Sequence, residues 1–194
     1  MSRIFQIVVA MCCVPLVIQL SGCAAAAVAG ATAGADVIID RRTTGTLIDD
    51  NLIEFKVMDR LRGAGDLWQA SHVNATAFNG ILLLSGETLD EDMKQRIGTL
   101  AAGIPKVRRV HNELALAAPS TLLARSSDTW LTGKVKTTLF SKNTLTAERV
   151  KVVSEKGVVY LMGIVTPTEA DQATEITRRI SGVQRVVRLF EITA

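Results

Sequence analysis

The sequence predicts an α+β protein made of two tandem α-β-β-α-β units, each a small three-stranded sheet packed with two helices. Three observations carry that prediction. The chain repeats itself: "NGILLLSG" at 79–86 matches "KGVVYLMG" at 156–163, and the match extends both ways with small indels, marking one unit of about 70 residues used twice. Within each copy an apolar spacing of four residues gives way to short β-rich runs, so the period changes from helical to extended. Each pair of runs is joined by a dipeptide suited to a tight hairpin, Asn79-Gly80 in the first copy and Lys156-Gly157 in the second.

Ile53, Val57 and Leu61, like Leu131, Val135 and Leu139, recur every four residues and so share one helical face. Asp50 and Lys56 of the first of these helices align with Asp128 and Lys134 of the second. The runs "HVNATA" from His72 and "RVKVVS" from Arg149 predict the first strand of each unit, and Gly86 and Gly163 close the second. Thr88-x-x-Glu91 and Thr166-Pro167-Thr168-Glu169 read as capping boxes for the second helix, the latter with proline at the first helical position. Gly103 and Gly182 suit left-handed positions where those helices stop, aligning "GIPKVRRV" with "GVQRVVRL". A strand rich in Val and Leu ends each copy, at Leu116 and Ile192. So small a unit buries little surface, and two copies packed together, or a partner, would add to its core.

The N-terminal region reads differently. The apolar segment from Ile4 to Leu20 follows Arg3, contains Pro15, and is too short to cross the ~30 Å hydrocarbon core comfortably. It reads as a secretory signal. Leu20-Ser21-Gly22-Cys23 closes it and resembles the lipobox of bacterial lipoproteins. That resemblance implies a diacylglycerol on the Cys23 sulfur, cleavage before Cys23 and acylation of the new amino terminus. With Ala24 next, and not aspartate, it implies sorting to the outer membrane. Residues 1–22 are then a lipoprotein signal peptide, 23–48 a lipidated flexible tether, 49–117 the first domain, 118–126 a linker and 127–194 the second domain. Arg41-Arg42 follows the apolar run, so the segment is not a twin-arginine signal. Cys12 and Cys13 fall in the removed segment, leaving no disulfide in the mature chain, which must fold by packing alone.

An α-β-β-α-β unit with a glycine closing its second strand, Gly-Ile/Val-x-x-Val entering its third and a tandem duplication is similar to the BON domain. With the lipobox, the Ala-rich tether and "DRRTTGTLIDD" at 40–50, the whole chain resembles the dual-BON outer-membrane lipoproteins of the DolP kind. The resemblance implies a non-enzymatic module at the periplasmic face of a Gram-negative outer membrane, associated with phospholipid binding and envelope integrity. It supplies no catalytic residues to transfer.

The residues themselves agree with a non-enzyme. His72 and His111 have no cysteine nearby and no H-x-x-x-H spacing, so neither a metal nor a cofactor is expected beyond the covalent lipid on Cys23. Asp90, Glu91 and Asp92 fall in the first turn of a predicted helix, where the dipole favours them. Gly63 and Gly65 lack the strand, lysine and hydroxyl of a phosphate loop. Nucleic acid is not an expected partner, because Arg108-Arg109 and Arg178-Arg179 are isolated pairs without interleaved aromatics. Charge is uneven: 49–117 holds 8 Lys+Arg against 10 Asp+Glu, and 125–194 holds 11 against 7, so the second domain is the one that favours anionic surfaces.

One helix has a distinctive outer face. In "SDTWLTGKVKTTLF" at 127–140, Ser127 or Asp128 can cap, and Leu131, Val135, Thr138 and Leu139 form the core stripe. At about 100° per residue Trp130, Gly133, Thr137 and Phe140 gather on the opposite side, with Lys134 and Lys136 bordering them. The aligned first-copy residues are Leu52, Phe55, Asp59 and Arg62. Aromatics rimmed by lysines suit a bilayer interface; the same aromatics would equally fit burial against the first domain or against Leu122 and Leu123. The expectation is a lipid-anchored periplasmic protein whose second domain binds anionic phospholipid through Trp130, Gly133, Lys134, Lys136, Thr137 and Phe140 and supports outer-membrane integrity. The alternative is a protein-interaction module assisting an envelope assembly or quality-control machine, with Leu52 and Phe55 as a second apolar surface.

Overall fold

Two α+β repeats follow one another in the computed structural model, which describes residues 42–119, 122–142 and 149–193. The signal segment, Cys23 and most of the expected tether lie outside those residues. The first repeat comprises α1 (Thr44–Gly63), α2 (Gly65–Ala70), β1 (Ser71–Phe78), β2 (Ile81–Thr88), α3 (Glu91–Ala102), β3 (Arg109–Asn112) and β4 (Ala115–Leu116). The second comprises α4 (Leu122–Ser141), β5 (Val150–Glu155), β6 (Val158–Val165), α5 (Pro167–Arg178) and β7 (Arg185–Ile192). In each, an antiparallel hairpin is joined by a parallel strand: β1-β2-β3 with β4 also on β2, and β5-β6-β7. The first sheet thus has four strands where three are expected, because Leu114 turns into the core at 1% exposure and divides the last strand.

Both hairpins turn as predicted. Asn79 and Gly80 have φ of 51° and 73°, and Lys156 and Gly157 of 47° and 74°, the left-handed pair that a type I′ turn requires. A carboxylate from the preceding helix holds each turn. Asp50 accepts from Asn79 N and Gly80 N at 2.8 Å and from Arg42 Nη1 at 2.9 Å; Asp128 accepts from Lys156 N at 2.9 Å and Gly157 N at 3.3 Å. Neither Ser127 nor Asp128 therefore caps α4, which already starts at Leu122 inside the expected linker. Likewise α1 starts at Thr44, with Thr43 as its cap, so the last residues assigned to the tether are helical.

Other local expectations shift. The capping box at Thr166 and Glu169 is present, but α3 is capped by Asp90, which accepts from Met93 N at 2.8 Å, while Thr88 stays buried in β2. Gly103 has an ordinary φ of −78°. Arg108 N and Gln184 N both donate at 2.8 Å to the turn glycines' carbonyls, Gly80 O and Gly157 O. Counting back from that pair, the counterpart of Gly182 (φ +102°) is Lys106 (φ 73°), not Gly103. At Gly86 a Cβ would lie 2.0 Å from His72 O, and at Gly163 2.5 Å from Arg149 O, so these glycines allow the first strand to cross closely over the second.

Strand alternation sorts each sheet into two faces. Leu82 and Leu84 join Ile53, Val57, Leu61, Ile97 and Ala101 in the first core, and Val159 and Leu161 join Leu131, Val135 and Leu139 in the second. The opposite faces meet one another: Phe78, Ile81 and Leu83 pack with Tyr160, Met162 and Leu189. The two sheets are therefore back to back, each with its own helices on the other side. This is why β2 is buried along its whole length and why "ILLL" and "VVYLM" are apolar on both faces. Lys151–Glu54 and Arg108–Glu191 cross the seam at 2.8 Å. Such partly exposed pairs add little energy; the apolar seam holds the repeats together.

Candidate functional site

The outer face of α4 follows from its inner one. Leu131, Val135 and Leu139 are 4%, 0% and 0% exposed, against Trp130 at 63% and Phe140 at 55%. Burying the apolar stripe at four-residue spacing fixes the rotation of the helix and turns both aromatics outward. Gly133, Lys136 and Thr137 are exposed beside them. Thr137 Oγ1 donates to Gly133 O at 2.9 Å, so its hydroxyl is satisfied within the helix. Space is open at Gly133, where a Cβ would meet nothing within 4 Å. A mid-helix glycine costs about 1 kcal/mol relative to alanine, and no internal packing explains it here; it leaves a shallow notch between Trp130 and Phe140.

The two lysines differ. Lys134 is half-buried: its Nζ lies 4.8 Å from the Trp130 ring centroid and donates to Ser181 O at 2.9 Å. This cation–π contact keeps a positive charge at the level of the indole. Lys136 points instead toward a cleft of about 320 Å³ between α4 and α1, lined also by Phe140, Leu47, Asn51 and Phe78. Arg42 stacks over Phe78 at 3.8 Å on the far side of that cleft. The six residues expected from the sequence thus share one surface, with Lys136 and Phe140 at its cleft edge. Side chains of Leu122 and Leu123, the other expected neighbours of the aromatics, lie outside the described residues.

The first repeat has a related surface. Ile48, Leu52 and Phe55 are exposed at 55%, 46% and 63%, forming a stripe on α1, while Arg62, the counterpart of Phe140, stacks over Trp68 at 5.3 Å. Ile48 belongs to this stripe because α1 extends back to Thr44, into the segment expected as tether.

A second constellation was not visible in the sequence. Strand register places His72 opposite Glu87, with His72 Nδ1 3.2 Å from Glu87 Oε2. Glu155 of the second repeat arrives beside them, so that ligand-type atoms of all three lie within 4.8 Å of one another. Lys156 Nζ is 2.8 Å from Glu87 Oε1, and Asn74 Nδ2 donates to Glu155 Oε2 at 3.2 Å. Burial, foremost, raises the Glu155 pKa and lowers that of His72, the latter aided by the charge of Arg125. Tyr160, buried in the same seam, is pushed up to about 12, again chiefly by burial. Spacing along the chain concealed this cluster because its members come from three strands in two domains.

Fold and surface together define a duplicated small α+β module that presents helix faces. Two segments, 49–118 and 127–194, match the BON domain family. The chain is 40% identical over 174 residues, 90% of each chain, to outer membrane lipoprotein DolP of Haemophilus influenzae. It is 32% identical over 78% of each chain to a 21 kDa hemolysin of Actinobacillus pleuropneumoniae. Osmotically-inducible protein Y of Escherichia coli is 25% identical over 80% of this chain and 78% of its own. The chain belongs to the BON-domain family, as a dual-BON outer-membrane lipoprotein of the DolP type. No helix among the described residues is long and apolar enough to cross a membrane.

Proposed function

We propose that the outer face of α4 binds anionic phospholipid, such as phosphatidylglycerol or cardiolipin, and that the protein, anchored by lipid on Cys23, thereby supports outer-membrane integrity without catalysing a reaction. The observation that carries this reading is the outward pair Trp130 and Phe140, 63% and 55% exposed around the open notch at Gly133. Aromatic rings sit well at headgroup depth. Lysines beside an anionic surface contribute about 1 kcal/mol each, so Lys134 and Lys136 add selectivity while the aromatics supply insertion. Neither term is large, and the anchor matters for that reason: a tethered domain meets the bilayer at high effective concentration, where a weak contact is populated. The membrane location of the Haemophilus influenzae relative agrees with this arrangement.

The test is co-sedimentation of the chain lacking residues 1–23 with phosphatidylglycerol vesicles and with neutral phosphatidylcholine vesicles. Wild type is expected to bind the anionic vesicles at least tenfold more tightly than a Trp130→Glu, Phe140→Glu double variant. Equal binding by the two proteins contradicts the assignment of this face.

A second reading, a protein-interaction module serving an envelope assembly or quality-control machine, is favoured by the exposed stripe Ile48, Leu52 and Phe55 on α1. Photocrosslinkers at positions 55 and 130 in cells separate the two. A single protein adduct at both positions, with no affinity for anionic vesicles, supports this second reading.

A further inference from the structure

The polar end of the seam concentrates negative charge where packing alone would favour apolar residues. Glu87 is fully buried and Glu155 is 8% exposed; they come together across the domain boundary, with His72 of β1 in register opposite Glu87. Two desolvated carboxylates at such a distance repel unless a proton or a cation joins them. Lys156 now supplies that cation, but it stands on the hairpin turn with a side chain 41% exposed, so its ammonium can move to water. A cavity of about 370 Å³, bounded by His72, Asn74, Arg125, Asp128, Ser154 and Glu155, opens onto the cluster. Ser85 Oγ lies on the same face of β2 as Glu87 and is buried without a hydrogen-bond partner among the described residues. A buried hydroxyl in that condition marks a place for an ordered water or ion.

We infer that His72, Glu87 and Glu155 form a zinc-class divalent-cation site that bridges the two BON domains. The donor set is one imidazole nitrogen and two carboxylate oxygens, which zinc accepts with a fourth position left for water. His72 Nδ1 and Glu87 Oε2, 3.2 Å apart, already span about the edge of a tetrahedron with ligands ~2.1 Å from the metal. Glu155 has only to swing inward from within the same 4.8 Å cluster, exchanging its bond from Asn74. Burial, foremost, holds the His72 imidazole below its ordinary pKa, which favours the neutral form that ligates a metal. A dication takes the place of the Lys156 ammonium and links β1 and β2 of one repeat to β5 of the other. The site reinforces the seam and is independent of the lipid-binding face.

Zinc titration of the detergent-solubilised full chain at pH 7, by calorimetry, with cobalt as a spectroscopic substitute, tests the inference. One zinc per chain is expected, with the intense visible absorption of four-coordinate cobalt. His72→Ala and Glu155→Gln should each weaken binding at least tenfold while retaining the far-ultraviolet circular dichroism of wild type. His111→Ala, on the same sheet but outside the cluster, should not. Lys156→Met should tighten binding, because the metal no longer competes with an ammonium; a role confined to ion pairing would not produce that gain. Absence of stoichiometric binding, equal affinity in wild type and both ligand variants, or no gain in Lys156→Met overturns the site.

Discussion

Asp50 shows how one carboxylate organises a repeat. Its oxygens hold both N–H groups of the Asn79-Gly80 turn and the Arg42 guanidinium, and its side chain is 4% exposed. Hydrogen bonds to a charged acceptor contribute about 1.5–3 kcal/mol each when they cannot be replaced by water. Asp50→Ala should therefore lower the unfolding free energy by about 3 kcal/mol, read as a fall in the urea midpoint. Asp128→Ala should cost less, since its bond to Gly157 N is 3.3 Å and Lys156 N is exposed. The sequence aligned the two aspartates but suggested a cap for Asp128, because local reading offers only the adjacent helix; the true partners lie 28 and 29 residues away. The histidines give a pH dependence with a definite sign. Burial, foremost, holds both His72 and His111 below the ordinary value of 6.5. A depressed histidine contributes stability that is present above the unfolded value and lost as pH falls through the folded one. Glu155, raised by burial, acts oppositely: its contribution is present below the ordinary carboxylate range and lost as pH rises through its folded value. The difference between wild-type and His111→Gln urea midpoints isolates the histidine effect, and His111→Gln is expected to lose less stability between pH 7 and pH 5.

At the scale of elements, periodicity was the dependable signal. The stripes Ile53-Val57-Leu61 and Leu131-Val135-Leu139 gave both the existence and the rotation of α1 and α4, and with them the outward direction of Trp130 and Phe140. Boundaries were less legible. Helix α4 begins before the Ser127-Asp128 signal, and Asp90 displaced Thr88 as the cap of α3 because Thr88 is committed to the β2 ladder opposite Ser71. The glycine match between Gly103 and Gly182 slipped because a lysine, Lys106, tolerates the left-handed backbone at the equivalent position. The notch in α4 yields its own prediction. Since a Cβ at position 133 meets nothing, Gly133→Ala should stabilise the protein by about 1 kcal/mol, measured as a rise in urea midpoint. A loss of stability would show that the glycine serves packing after all.

At the scale of the molecule, the described residues form two repeats that share one seam. Duplication was plain in the sequence, and the two-sided apolarity of "ILLL" and "VVYLM" records the back-to-back sheets, but which cross-domain side chains meet became visible only in the fold. That is why the cluster of His72, Glu87 and Glu155 is not legible in the sequence while the α4 face is: one helix carries its whole face in one short segment, whereas the cluster needs three strands brought together. Packing the sheets against each other leaves the helices outermost, so α4 reaches a surface without rearrangement of the domains. The central claim is that this surface enters an anionic bilayer through Trp130. Its most direct test uses the Trp68→Phe chain lacking residues 1–23, in which Trp130 is the remaining tryptophan. Its fluorescence is recorded with phosphatidylglycerol vesicles containing lipids brominated at a shallow acyl position. A blue shift with strong quenching is predicted; an emission spectrum unchanged by vesicles, at concentrations where wild-type protein is membrane-bound, would contradict the account.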